Sequence, residues 1–212
     1  MDIIELEDTN HARIAILAER VLRTGGVVIS PADTAYSILG SAGSESALGR
    51  MMNLKRQPEE KSLPVFVKDV ATARRYAYIS DAKARFLTHI WPGPITVLLH
   101  HKEKLPPVLT GGLDTIGLRM PCDPFLIALL RRFDAPIAQT PACISGKPAA
   151  QDIEQIKEYF EDANIRPDLV IDGGMLRGGT STLLDLTGNR PMVLRTGVLT
   201  REQLDDLMAS ML

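Results

Sequence analysis

The chain has 212 residues, 24 of them basic and 26 acidic, for a formal net charge of −2. That near-neutral balance argues against a dedicated nucleic-acid binder, whose affinity rests on a basic excess. No apolar run approaches the roughly 18 residues of a membrane span, and the acidic start, Met1 to Asp8, lacks the layout of a signal peptide. The length and the 45% apolar content fit a single globular domain over 1–212, with a core at about 12–200, expected to be cytoplasmic.

Taken in chain order, Thr9 or Asn10 caps a helix over His11 to Arg23 with Ile14, Leu17, Ala18, Val21 and Leu22 as its stripe, and Gly25-Gly26 ends it. Val27 to Ile29 reads as a buried strand stopped by Ser30-Pro31. A helix follows from about Ser44 to Lys55, then a strand over Leu63 to Val67 and helices over Val70 to Tyr76 and Asp81 to His89. Strands at Ile95 to His100, Thr115 to Met120 and Pro136 to Gln139 alternate with a helix over Asp123 to Arg132. The remainder reads as a helix over Ile153 to Phe160, strands near 169–171, 181–186 and 193–195, and a terminal helix from about Arg201. This intermixed order predicts an α/β fold with a sheet flanked by helices, and no P-loop or dinucleotide fingerprint is present.

Four segments at strand or helix ends carry chemistry. Asp33 and Thr34 offer a carboxylate and a hydroxyl just after a buried strand, either as a ligand contact or as a Pro-Asp turn. Lys55-Arg56 and Lys61 are either a phosphate clamp or cations at a helix C-terminus. In Thr115 to Met120, alternation puts Thr115, Gly117 and Arg119 on one side of a strand. A guanidinium there needs an anion, and the adjacent glycine favours a ligand over an internal carboxylate. Gln139 to Lys147 supplies small residues and hydroxyls, and its Cys143 reads as a small buried hydrophobe rather than a nucleophile.

In order and spacing these segments resemble the YrdC-like family, the threonylcarbamoyl-AMP synthases of TsaC type. The family's Pro-Thr-Asp-Thr-x-Tyr-Gly-Leu, Lys-x-Arg-Pro-x-x-Lys-Pro-Leu and Trp-Pro-Gly-Pro-Leu-Thr appear as Pro31 to Leu39, Lys55 to Leu63 and Trp91 to Thr96. Val-x-x-Arg-x-Pro, Ser-x-Asn-x-Ser-Gly, Asp-Gly-Gly, Ser-Thr-Val-x-Asp and Arg-x-Gly appear as Ile116 to Pro121, Pro141 to Gly146, Asp172 to Gly174, Ser181 to Asp185 and Arg195 to Gly197. The resemblance implies a twisted mixed sheet with a concave, positively lined cavity. It implies condensation of L-threonine, bicarbonate and ATP, with Mg2+ accompanying the ATP, into threonylcarbamoyl-AMP for tRNA modification. Carried over by position, Thr34 and Arg119 hold threonine, while Lys55, Lys61, Thr115, Ser145 and Arg195 line the nucleotide side.

The departures from the family pattern are Ala32 for Thr, Ser37 for Gly, Gln57 in place of the clamp arginine, and Pro141 and Cys143 for Ser and Asn. They remove hydroxyl and amide donors and point towards YciO-type paralogs. The alternative function is double-stranded RNA or nucleotide binding without synthesis, using a basic rim of Lys55, Arg56, Lys61, Lys68, Arg74 and Arg75.

Overall fold

A computed structural model describes residues 1–56, 61–161 and 164–209, so the departure at Gln57 lies outside the described residues. In chain order the elements are β1 (Ile3–Glu5), α1 (His11–Arg23), β2 (Val28–Ser30), β3 (Ser37–Ser41), α2 (Glu45–Lys55), β4 (Val65–Phe66), α3 (Val70–Tyr76), α4 (Asp81–Ile90) and β5 (Ile95–His100). They continue as α5 (Pro107–Thr110), β6 (Thr115–Arg119), α6 (Pro124–Phe133), β7 (Ile137–Pro141), α7 (Ile153–Phe160), β8 (Leu169–Asp172), β9 (Thr182–Asp185), β10 (Met192–Arg195) and α8 (Arg201–Ala209).

Side-chain caps set several helix starts. Ser44, Asp69, Ser80, Asp123 and Asp152 each accept a hydrogen bond from a backbone N–H in the first turn of the helix that follows. Asn10 occupies the cap position of α1 without such a bond. Its Oδ1 instead accepts from Glu7 N at 3.0 Å, and its Nδ2 donates to Glu5 O at 3.1 Å. The α1 stripe is buried at Ile14, Ala15, Ala18 and Leu22, while Leu17 and Val21 sit at its half-buried margins. At the end of α2, Arg56 adopts a left-handed conformation (φ 52°) and is exposed, so its guanidinium leaves the helix rather than rotating one step around it.

The strands form one mixed sheet in the order β1-β8-β2-β3-β7-β4-β6-β5-β9-β10. Two strands were not expected from the sequence, β1 and β3. The latter pairs antiparallel with both β2 and β7, so the segment after Asp33-Thr34 turns back into the sheet centre instead of remaining a loop. None of the helices among the described residues is long and apolar enough to cross a membrane.

Side-chain alternation gives the sheet two unlike faces. One face, with Ile38, Val65, Val97, Leu118, Ala138 and Leu184, packs under α2, α4 and α7 in the larger core. On the other, Val28, Leu39, Phe66, Ile137 and Ile171 pack against α1 and α6. That second helical layer covers only part of the sheet. The same face runs on through Ser37, Gln139, Pro64, Gly117, Thr96 and Leu183, which line a cavity. Phe66 marks the boundary: it belongs to the core beneath α1 and α6, while the Arg119 guanidinium lies 5.7 Å from its ring centre.

Candidate functional site

The cavity has a volume of about 260 Å3, and its floor is the uncovered stretch of β-sheet. Thr34, Tyr36 and Arg119 stand at one side, and Gly179, Thr180, Ser181 and Arg195 at the other.

Arg119, at the end of β6, is 2% exposed. Its Nη2 meets Asp33 Oδ1 at 2.5 Å, its Nε donates to Gly93 O at 3.1 Å and its Nη1 to Thr34 Oγ1 at 3.4 Å. The internal-carboxylate reading of the sequence is the one the structure shows, and the guanidinium nevertheless lines the cavity. Asp33 is not a self-bonded turn residue, because its other oxygen accepts from Cys122 N at 3.4 Å and Cys122 Sγ at 3.1 Å. Burial and the Asp33 carboxylate push the Cys122 thiol up to about 11.

Tyr36 is fully buried and ties the Asp33-Thr34 segment to the Asp172-Gly173-Gly174 loop. Its hydroxyl donates to Gly174 O at 2.8 Å and accepts from Gly173 N at 2.9 Å. Burial raises its pKa far above the usual phenol value, so it acts as a neutral tether at all ordinary pH values.

The far wall depends on a close approach of backbones. A Cβ on Gly197 would lie 2.2 Å from Thr180 O and 2.4 Å from Thr182 N, so only glycine lets this segment cross the start of β9. Gly197 N donates to Thr182 Oγ1 at 3.1 Å. Arg195, two residues earlier, donates through Nη2 to Ser181 O at 3.0 Å, and Ser181 Oγ meets Thr96 Oγ1 at 2.9 Å. The guanidinium is thereby held at the cavity rim. No carboxylate lines the cavity among the described residues.

Of the residues carried over by position, Thr34, Arg119 and Arg195 come together on the cavity wall. The other four lie elsewhere. Lys55 is 9% exposed and its Nζ donates to Pro141 O at 3.1 Å and contacts Cys143 Sγ at 3.1 Å. Ser145 N donates to Lys55 O at 2.7 Å. Thr115 sits at the start of β6 opposite His100, and Lys61 is exposed next to Ser62 of the wall. Position-by-position transfer did not name Ser62, Thr96, Gln139 or Thr180, which also line the cavity; the first three fall inside the segments Lys55 to Leu63, Trp91 to Thr96 and Gln139 to Lys147, and Thr180 immediately precedes Ser181 to Asp185.

The departures are accommodated by packing. Ala32 is buried in the core beneath α1 and α6, where a hydroxyl would need a partner. Cys143, 6% exposed, fills a small buried space, and its Sγ together with the Pro141 carbonyl accepts from the Lys55 ammonium. Of the six cations of the suggested basic rim, Lys55 is buried, Lys68 pairs with Asp134 and Arg74 with Asp81.

The fold and site define an α/β protein with a small cavity, lined by guanidinium and hydroxyl groups, at the uncovered part of a mixed sheet. The chain belongs to the Sua5/YciO/YrdC family, whose model, described as telomere recombination, matches residues 20–197. It is 33% identical over 194 residues to threonylcarbamoyl-AMP synthase of Pyrococcus abyssi, covering 91% of this chain and 56% of that protein. The structure of P. abyssi Sua5 complexed with L-threonine superposes with a TM-score of 0.89 at 32% identity, over 98% of this chain and 61% of that one. Escherichia coli YciO, an uncharacterized protein, is 28% identical over 90% of this chain and 92% of its own length. The chain thus spans little more than half the length of the archaeal synthase and nearly all of YciO.

Proposed function

We propose that the chain is an L-threonylcarbamoyl-AMP synthase acting in the cytoplasm on L-threonine, bicarbonate and ATP, its product serving threonylcarbamoyladenosine formation on tRNA. The observation that carries this reading is the cavity wall: two guanidiniums, Arg119 and Arg195, face one space with hydroxyls and no lining carboxylate among the described residues. Such a wall suits an anionic substrate whose nitrogen carries no positive charge. Threonine after N-carboxylation is such a substrate. The threonine ammonium first gives up a proton to solvent; the amine nitrogen then bonds to the bicarbonate carbon as hydroxide leaves with a second N–H proton as water, and the nitrogen ends as an uncharged N–H. One oxygen of the new carboxylate then attacks the α-phosphorus of ATP. The O–P bond forms as the bond to the bridging oxygen breaks, and that electron pair leaves with pyrophosphate.

Neither step needs a covalent intermediate on the protein, so catalysis rests on positioning and charge stabilisation. Arg119 and Thr34 hold the amino-acid carboxylate at one end, and Arg195, fixed by Ser181, offsets phosphate charge at the other. The P. abyssi Sua5 structure with L-threonine, at 32% identity, supports the amino-acid assignment. Lys55, Lys61, Thr115 and Ser145 stand outside the wall, and a role for them on the nucleotide side requires the triphosphate to extend beyond the cavity. Mg2+ would enter as the counter-ion of ATP. Among the described residues no three acidic, His or Cys side chains gather to hold a metal, and no step is assigned to the ion.

The test is pyrophosphate release with each substrate omitted in turn. The expected result is release that needs all three, falling about tenfold or more in Arg195→Ala, where one charge-assisted contact is lost. Release that ignores threonine, or an unchanged Arg195→Ala, refutes the reading.

A further inference from the structure

One buried polar side chain on the cavity floor has no role in the chemistry above. Gln139, in the middle of β7, is 7% exposed and lines the cavity. Its backbone N–H donates to Pro64 O at 2.8 Å, while its side-chain amide makes no hydrogen bond among the described residues and is open to the cavity space rather than sealed. Neighbouring core positions on the same face, Leu39 opposite it and Ile137 two residues before it, are apolar. A glutamine here interrupts an apolar row, and its donor and acceptor both remain open.

Its surroundings suggest what it meets. Gln139 on β7, Pro64 directly before β4 and Gly117 on β6 lie side by side, with neighbouring strands about 4.8 Å apart. Gly117 leaves a hollow bordered by Pro64 Cβ and Thr96 Cγ2, each 3.4 Å from where a Cβ would stand. Arg119, two residues along β6, is the guanidinium at this end, so an amino acid whose carboxylate meets Arg119 lays its side chain over the hollow. A ligand that fills the hollow expels water from the Gln139 amide, and that amide then pairs with the ligand or is left unsatisfied. The group it meets is uncharged and polar. A hydroxyl both donates and accepts, as the amide does, while the Pro64 ring and the Leu98 side chain offer apolar contact for a methyl.

We propose that Gln139 is a specificity-determining residue that reads the side-chain hydroxyl of the amino-acid substrate, selecting a β-hydroxy amino acid over its apolar isostere. The proposal rests on the synthase reading and deepens it. The test is calorimetric titration, in bicarbonate buffer, of the full chain with threonine, with valine and separately with ATP, for the wild type, Gln139→Met and Gln139→Ala. Methionine keeps the length without the amide, and alanine only removes atoms, so a blocked cavity is distinguished from a lost contact. The expected result is a threonine-over-valine preference of roughly ten- to hundredfold in the wild type. In both variants that preference collapses to within about threefold, with ATP affinity unchanged and thermal midpoints as high as the wild type's. An unchanged preference in variants of native stability overturns the proposal, and so does loss of ATP rather than threonine affinity, which would place the amide against the nucleobase. A wild type that binds no threonine overturns the synthase reading itself, and the Gln139 assignment with it.

Discussion

At the scale of single residues, Gly197 behind the cavity wall and Gly117 on its floor have different reasons to be glycine. Gly197 has none of the space a Cβ needs, since backbone atoms of Thr180 to Thr182 would lie within 2.2–2.4 Å of it. Gly197→Ala is expected to cost about 1–3 kcal/mol or more through displaced backbone and to loosen Arg195, measurable as a lower denaturation midpoint. Gly117 has room, its nearest neighbours being at 3.4 Å. Gly117→Ala is expected to leave stability within about 1 kcal/mol while weakening threonine binding, because the added methyl occupies the hollow. A variant as unstable as Gly197→Ala would show that the hollow is packing space and not a ligand site. Cys122 makes a separate prediction. With its thiol pushed up to about 11 against an ordinary value of 9.0, it is protonated at neutral pH, and alkylation is slow at pH 8 and accelerates only as the pH approaches 11. The folded value exceeds the unfolded one, so this thiol's contribution to stability is complete below pH 9 and is lost as the pH rises towards 11.

At the scale of elements, caps and turns fix where strands and helices stop. Asp152 Oδ1 accepts from Gln155 N at 2.9 Å and starts α7, whose Ile156 and Phe160 are fully buried. Asp152→Ala is expected to cost about 1 kcal/mol, read as a shift in the denaturant midpoint with an unchanged slope. After β9, Asp185 Oδ1 accepts from Thr187 N at 2.7 Å and Thr187 Oγ1 at 2.6 Å, and these bonds hold its carboxyl below the usual aspartate range. A lowered folded value gives stability that is present above the unfolded pKa and lost as pH falls through the folded one. Asp185→Asn should therefore be less stable than the wild type at pH 7, with the gap closing as the pH falls below about 3.8. A gap independent of pH would assign the effect to the turn's geometry and not to its charge.

At the scale of the whole molecule, the uneven coverage of one sheet face creates the site. The fully packed face makes the larger contribution to stability, and Leu118, 0% exposed at the centre of β6, is part of it. Leu118→Ala is expected to cost about 2–5 kcal/mol, lowering the melting temperature by roughly 5–15 °C for a chain of this size. The open face is built from residues one step away on the same strands, so Leu118 packs the core while Gly117 and Arg119 serve the cavity.

The sequence alone determined nearly all of the element order, because helix caps, apolar periodicity and Gly-Pro punctuation are local signals, as in α3, α7 and β5. It also determined the family, since eight short segments recur in order even where single positions depart. The strands β1 and β3 escaped because they are defined by partners: β1 pairs with β8, far along the chain, and β3 reads as a polar loop until β2 and β7 flank it. Tertiary structure alone decided which cations face the cavity. Arg119 and Arg195 do, while Lys55, its equal in the sequence, spends its charge on Pro141 O beneath the wall. It alone singled out Gln139, because a glutamine in an apolar strand becomes informative only when one knows that the helical layer stops short of it. Alternation along a strand fixes which side chains share a face, but what covers that face depends on helices placed by contacts distant in the chain.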